Sequence, residues 1–521
     1  MHELLKDFRL LPTERLLLDG GDARIALDPS LALNKYGCSP IPDPGVAAFA
    51  SSTASTISEP SFAAADRLRR RLATNIHNET HEALYTRELN RIRQELLYLC
   101  GVSDMHGLEI IFAASGTDLH LIAAQMVAGS ELMPTLIIMT ESDETGSDVS
   151  TALSGQHFST RSALGFPTIE KTPIGGGNAI EVVTVPVRLA NGNPRQPSAV
   201  NAEIETLVTG SAKRGQRVLL ILIDLSKTGL ISPDLGYVSA LHRRLPETVD
   251  VLVDASQFRM AQSTLRAYLN QGFIVAMTGS KFVTGPAFSG ALLIPSSVAV
   301  RLRGHRPSAA LNLYSARADW PDNWAVAENL ANIANFGLLL RWEAALEELR
   351  MFRSVPDAQV KSFLKAFADA VQNRLMSDPA FDPLPVSPIV RTPLIDASGW
   401  DHIPTIFSFL LYRPGPDHRK VHLSRDQTLQ IYQSMQANLA NGNGLPLPGL
   451  NGKPARLRCQ LGQPAACGNR NGIPVSALRL CASARLIVEA TSQNGAKASA
   501  VIHRALATLD TTALLVKCHN E

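Results

Sequence analysis

The run Val218-Leu219-Leu220-Ile221-Leu222-Ile223 is apolar at every position, so a strand built from it has no side to give to solvent. That demands helices on both faces of a mostly parallel sheet and excludes a half-solvated antiparallel meander. Similar runs predict strands at Leu136–Met139, Glu181–Val187, Arg217–Leu225, Val249–Asp254, Phe273–Met277 and Gly290–Ile294. Helical patterns at Ala199–Lys213, Asp234–Arg244 and Met260–Gln271 fall between several of them. The fold class is α/β.

At 521 residues the chain is too long for one ordinary core. Phe62–Leu99 reads as mostly helical. Ala325–Met351 reads as one long helix, because Leu330, Ile333, Ala334, Leu338, Trp342 and Leu346 recur at helical spacing. Thr405–Tyr412, Arg425–Leu439 and Ala477–Arg485 predict elements of a smaller C-terminal α+β domain. Glycine and proline make Asn441–Pro454 a loop, and Gly175-Gly176-Gly177 a flexible turn before a strand. The expected division is an N-terminal arm over 1–65, packing across both domains, a large domain over 66–345 and a small one over 346–521.

A net charge of +2 gives no reason to expect nucleic acid or an anionic membrane as partner. No 18-residue apolar run predicts a membrane span, and the charged start Met1-His2-Glu3-Leu4-Leu5-Lys6-Asp7 is unlike a signal peptide. Six thinly spread cysteines read as reduced thiols in a cytoplasmic protein. Cys459 and Cys467 fit no zinc spacing, so no metal site is expected.

Lys281 ends the segment Met277-Thr278-Gly279-Ser280-Lys281, just past a buried strand and just before Gly285-Pro286. Burial there would lower its pKa and free its amine to attack an aldehyde. Asp254, in Asp254-Ala255-Ser256-Gln257, ends the preceding strand, 27 residues earlier (281 − 254). In a parallel sheet both side chains emerge at the carboxyl edge, where α/β proteins bind ligands. Upstream, Glu109–Asp118 reads as a strand, a tight turn and a helix start at Ser115-Gly116-Thr117. Exposed N–H groups and the helix dipole suit a phosphate there. A phosphate cradle, a carboxylate and a lysine make a coherent set for pyridoxal 5'-phosphate.

The ordered set Ser115-Gly116-Thr117, Asp254-Ala255-Ser256-Gln257 and Ser280-Lys281 with Gly285-Pro286 resembles the fold type I pyridoxal-phosphate enzymes, nearest the class V aminotransferase and cysteine desulfurase group. The resemblance covers roughly Tyr85 to Leu349 and a short C-terminal segment. It implies a large pyridoxal-phosphate-dependent transferase-like domain. In it Lys281 forms the Schiff base, Asp254 pairs with the pyridine nitrogen, and Gln257 contacts the ring hydroxyl. Gly116 and Thr117 hold the phosphate, with Thr278 and Ser280 adding contacts. Anchoring Asp224-Leu225-Ser226-Lys227-Thr228-Gly229 on its glycine puts Ser226 where the family commonly has a cofactor-facing Asn. Arg479 is expected to grip a substrate α-carboxylate, with Arg485 as the alternative. Many members stack a histidine on the cofactor, but Thr140–Ser147 holds no aromatic ring, leaving His157 and Phe158 as later candidates. The Ser51–Thr56 cluster lies in an arm that in this family can edge the active site.

The implied function is amino-group chemistry on a small amino acid or related amine, with class V transamination first because it needs no residue beyond this set. The alternative is a carbon–sulfur lyase or cysteine desulfurase, using Cys467 from a mobile loop or Cys459 as nucleophile. A further alternative is a non-catalytic binding module. The family also implies a homodimer.

Overall fold

The computed structural model describes residues 10–130, 132–175, 180–396, 398–414, 420–436 and 458–518. The expected loop Asn441–Pro454, residues 437–439 of the expected element Arg425–Leu439, and Gly176-Gly177 lie outside them.

The large sheet runs in the order Glu109–Ala113, Gly290–Ile294, Ile274–Thr278, Val249–Ala255, Val218–Asp224, Thr135–Thr140, Ile180–Val185. Gly290–Ile294 is antiparallel to both neighbours, and the successive pairs from Ile274–Thr278 to Ile180–Val185 are parallel. A two-residue strand, Ile231–Ser232, adds antiparallel to Val218–Asp224. The fold is α/β, as the unbroken apolar runs require. Alternation sorts their side chains between two cores: Val218, Leu220 and Leu222 enter one, Leu219 and Ile221 the other.

The second sheet is mixed, with strands Ile406–Pro414, Arg458–Arg470 and Ile473–Cys481 at its centre. Its edge strand is Val46–Phe49, parallel to Arg458–Arg470, so the N-terminal arm is built into the C-terminal sheet. The helix Phe336–Arg353 runs through the expected boundary at 345/346.

The single helix expected over Ala325–Met351 is corrected. Ala325–Asn329 is a 3-10 turn, and the α-helix starts only at Phe336, where Asn335 accepts from the Leu338 N–H as its cap. Phe62–Leu99 is two helices, Glu59–Asn75 and His81–Leu99, both packed on Phe336–Arg353. Ala477–Arg485 is likewise divided, its strand ending at Cys481 and a helix starting at Ala484. No described helix is long and apolar enough to cross a membrane.

Candidate active site

The carboxyl edge of the large sheet opens into a cavity of about 310 Å³. Asp254 and Lys281 meet there because their strands are parallel neighbours, with Asp254 paired in register to Ala276 and Ala255 to Met277. Lys281 follows the end of Ile274–Thr278 by three residues (281 − 278) and is half-buried. Burial, reinforced by Arg479, Arg259 and Arg24, outweighs the pull of Asp254 and pushes its pKa down to about 8. Non-glycine residues with positive φ mark the adjoining turns: Phe258 at 50°, Thr284 at 68° and Phe288 at 72°. Such backbone persists only where its surroundings hold it.

Asp254 Oδ1 accepts from the Ser256 N–H at 3.0 Å and the Ser256 hydroxyl at 2.5 Å. Its Oδ2 stands 3.4 Å from His120 Nε2, within ion-pair range but off hydrogen-bond alignment. Burial alone would raise this carboxyl, yet His120, Lys281 and Ser256 hold it well below the usual range. His120 Nδ1 lies 2.7 Å from the Gly116 carbonyl, and the Asp254 charge raises its pKa against the effect of burial. His120 and Asp254 form a buried pair in the cavity lining. Sequence reasoning missed His120, although its place four residues after Gly116 puts it on the same helix face.

Gly116 and Thr117 open the helix Gly116–Val127, so their N–H groups have no intrahelical acceptor. A Cβ on Gly116 would stand 3.0 Å from Ser256 Oγ, so the glycine keeps this cradle open. Thr278 Oγ1 donates to the Ser256 carbonyl at 2.8 Å, and Ser280 Oγ donates to Thr278 Oγ1 at 3.2 Å. All five residues line the cavity. Arg24, from the N-terminal arm, also reaches the cradle, donating to Thr117 Oγ1 and Ser115 Oγ at 3.2 Å each while paired with Asp22. Tyr36 and Phe288 complete that side. Arg24 and Tyr36 arrive from distant sequence and carry no local motif.

Arg479, 2% exposed, joins the cavity lining from the strand Ile473–Cys481. It donates to Thr53 Oγ1 at 3.2 Å and closely to the Gln463 carbonyl, while its Nε has no partner. Among the described residues no carboxylate pairs with it. Gly462 makes room, since a Cβ there would come within 3.1 Å of Arg479 Nε. Arg485, the alternative, is bound to Glu348 at 2.7 Å and lies outside the cavity lining. Ser52 and Thr53 bring the Ser51–Thr56 cluster to the cavity edge.

Several expectations are corrected. Ser226 is turned away: Leu225 and Lys227 line the cavity, while the Ser226 hydroxyl donates to Glu144 at 2.7 Å. Gln257, by contrast, is in the cavity lining, its amide also donating to the Ser52 carbonyl at 3.0 Å and accepting from Arg259 at 3.2 Å. His157 is bonded to the Tyr314 hydroxyl at 2.6 Å and stacked on that ring, and Phe158 lies beneath Arg24; neither lines the cavity. Cys467 sits in the strand Arg458–Arg470 and not in a loop, buried like Cys459. Burial raises both thiols, Cys459 to about 11, and neither lines the cavity.

A scan of protein-family models finds no match, and no curated protein matches the sequence. Solved structures do. The cysteine desulfurase CsdA from Escherichia coli has a TM-score of 0.50 at 15% identity, over 90% of this chain and 94% of that one. The cystine C–S lyase C-DES, in complex with its product cysteine persulfide, has a TM-score of 0.52 at 15% identity, over 88% and 97%. A NifS-like protein has a TM-score of 0.50 at 14% identity, over 89% and 99%. The chain has the fold of the type I pyridoxal-phosphate enzymes.

Within that fold, the donor set fits the cofactor's groups. A half-buried amine of lowered pKa lines the cavity, and an ionised carboxylate lies one strand away. Hydroxyls, free N–H groups and a cation form the glycine-opened cradle beyond them.

Proposed function

We propose that the chain is a pyridoxal-phosphate-dependent enzyme acting on an amino acid or related amine, and that its reaction is class V-type transamination. The observation that carries this reading is the convergence of Lys281, Asp254, the Gly116–Thr117 helix start and the unpaired Arg479 on one cavity. When bound, the cofactor supplies an electron sink for the substrate α-carbon. Lys281 would be the covalent anchor, and its amine would carry a proton at that carbon. Asp254, ionised and backed by His120, keeps the pyridine nitrogen protonated. Gly116, Thr117, Thr278, Ser280 and Arg24 hold the phosphate, and Arg479 orients the α-carboxylate through its fork of donors.

Desulfuration needs a thiolate at the substrate sulfur. Cys467 and Cys459 are buried in a strand with raised pKa values, so transamination, which asks for no second nucleophile, is favoured. A homodimer belongs to the same proposal by resemblance. The test is amino-group transfer from a panel of amino acids to a 2-oxo acid. Amino acid formed from the acceptor supports the reading, whereas product release without an acceptor assigns the chain to lyase chemistry.

A further inference from the structure

A second cation stands beside Arg479 on the substrate side of the cavity. Lys227 leaves the carboxyl end of the strand Val218–Asp224 with its side chain lining the cavity. Its Nζ donates to the Ser142 carbonyl at 3.1 Å, and its own carbonyl lies 3.5 Å from Arg479 Nη1. Among the described residues no carboxylate forms an ion pair with Lys227. The nearest acid in the lining, Glu144, is already committed. It is closely paired with Arg188 and accepts from Ser226 at 2.7 Å and from the Thr228 hydroxyl at 2.7 and 2.9 Å. Burial, then repulsion from Arg479 and Lys281, pushes the Lys227 pKa down to about 8, against the weaker pull of Glu144 and Asp143.

The charges therefore do not balance on this side. Asp254 is answered by His120, and Glu144 by Arg188. Besides Lys281, which the cofactor would take, and Lys35, exposed at the mouth, Arg479 and Lys227 remain. One α-carboxylate would answer only one of them. A buried guanidinium beside a half-buried ammonium, neither ion-paired with an acid among the described residues, is costly unless the bound partner supplies the missing anions. The residue types divide the work. A planar guanidinium suits a planar carboxylate, while a compact ammonium on a flexible stem accepts an oxyanion of any shape.

We infer that the substrate is an amino acid with an anionic side chain, its α-carboxylate on Arg479 and its side-chain oxyanion on Lys227. This rests on the function proposed above and narrows its substrate class to carboxylate, sulfinate or phosphate-bearing amino acids. Lys35, exposed at the mouth, adds a third positive charge along the entry path.

The test is calorimetric binding to cofactor-treated protein, with Lys281 labelling by borohydride followed in parallel. The probes are succinate and glutarate, each against its mono-amide, then aspartate, glutamate, cysteine sulfinate and O-phosphoserine against asparagine, glutamine and serine. The acidic members should bind about 10- to 100-fold more tightly than their neutral counterparts, the worth of one hydrogen bond to a charged group. Lys227→Met should erase that preference, and Lys227→Arg should restore much of it. Equal binding of acids and amides by the wild-type protein overturns the inference. So does a preference that survives in Lys227→Met. Labelling of Lys281 without acid preference sinks this inference alone, while binding of dicarboxylates without labelling sinks the cofactor reading instead. The four acidic amino acids rank the carboxylate, sulfinate and phosphate sources.

Discussion

Arg391 and Arg479 are both arginines sealed from solvent, and they differ in what answers their charge. Arg391 is fully enclosed and meets Asp224, also fully enclosed, through two bonds of 2.7 Å. Its remaining donors reach the Asp401 and Arg259 carbonyls, and Tyr268 caps the same Asp224. That cluster ties the end of a central strand to the segment after the long helices. Arg479 lies on a cavity wall with a bare Nε and, among the described residues, no acid paired with it. The first is a closed account of charge and belongs to the fold. The second has a donor left over on a cavity wall, and a buried donor placed there points to a ligand.

Breaking each arginine separates the two roles. Arg391→Met leaves Asp224 buried and unpaired, so urea unfolding should show a loss of about 3–5 kcal/mol, the largest effect expected here. Arg479→Met removes a desolvated charge without stranding a partner. Its unfolding midpoint should stay unchanged or rise, while amino-acid affinity falls by about 1.5–3 kcal/mol. Loss of stability in Arg479→Met comparable to that in Arg391→Met would break the comparison.

A milder probe is Gly462→Ala. The added Cβ would meet Ser52 Oγ at 2.4 Å and crowd Arg479 Nε. Binding of α-carboxylates should weaken by roughly 1 kcal/mol, within the cost of overpacking, with cofactor affinity unchanged by fluorescence titration. The pH dependence offers a fourth check. Lys281 has its folded pKa lowered to about 8 from an ordinary 10.5, so the neutral amine grows as pH rises through 8. The rate of cofactor capture by apoprotein should climb through that pH and level off above it. Between about 8 and 10.5 the unfolded chain holds more protons than the folded one, so apoprotein stability should also rise with pH across that window. The smallest effect is expected from Cys467→Ser and Cys459→Ser, which should leave turnover unchanged. A loss of activity in either would restore the desulfurase alternative.

The large sheet was legible because strands buried on both faces advertise themselves as unbroken apolar runs, Val218–Ile223 above all. Lys281, Asp254 and Gly116–Thr117 were legible because each sits at a strand end or helix start. Two local signals were available and missed. Asn471-Gly472, with φ values of 50° and 82°, is the turn that joins Arg458–Arg470 to Ile473–Cys481. It would have put Cys467 in a hairpin and not in a loop. Asn335 marked the start of the helix Phe336–Arg353, where apolar spacing alone overran into Ala325–Asn329. Arg24 and Tyr36 had no such signal. Arg24 reaches the cradle from 91 to 93 residues away along the chain, and Tyr36 enters the same lining from the arm.

The proposed function depends on Lys281 as the residue that takes the cofactor. Reduction with borohydride after incubation with pyridoxal 5'-phosphate, followed by peptide mapping, tests it most directly. The account expects a single reduced adduct on the peptide carrying Lys281, lost in Lys281→Ala. No adduct, or labelling spread over Lys35, Lys227 and surface lysines and unchanged in Lys281→Ala, would contradict it.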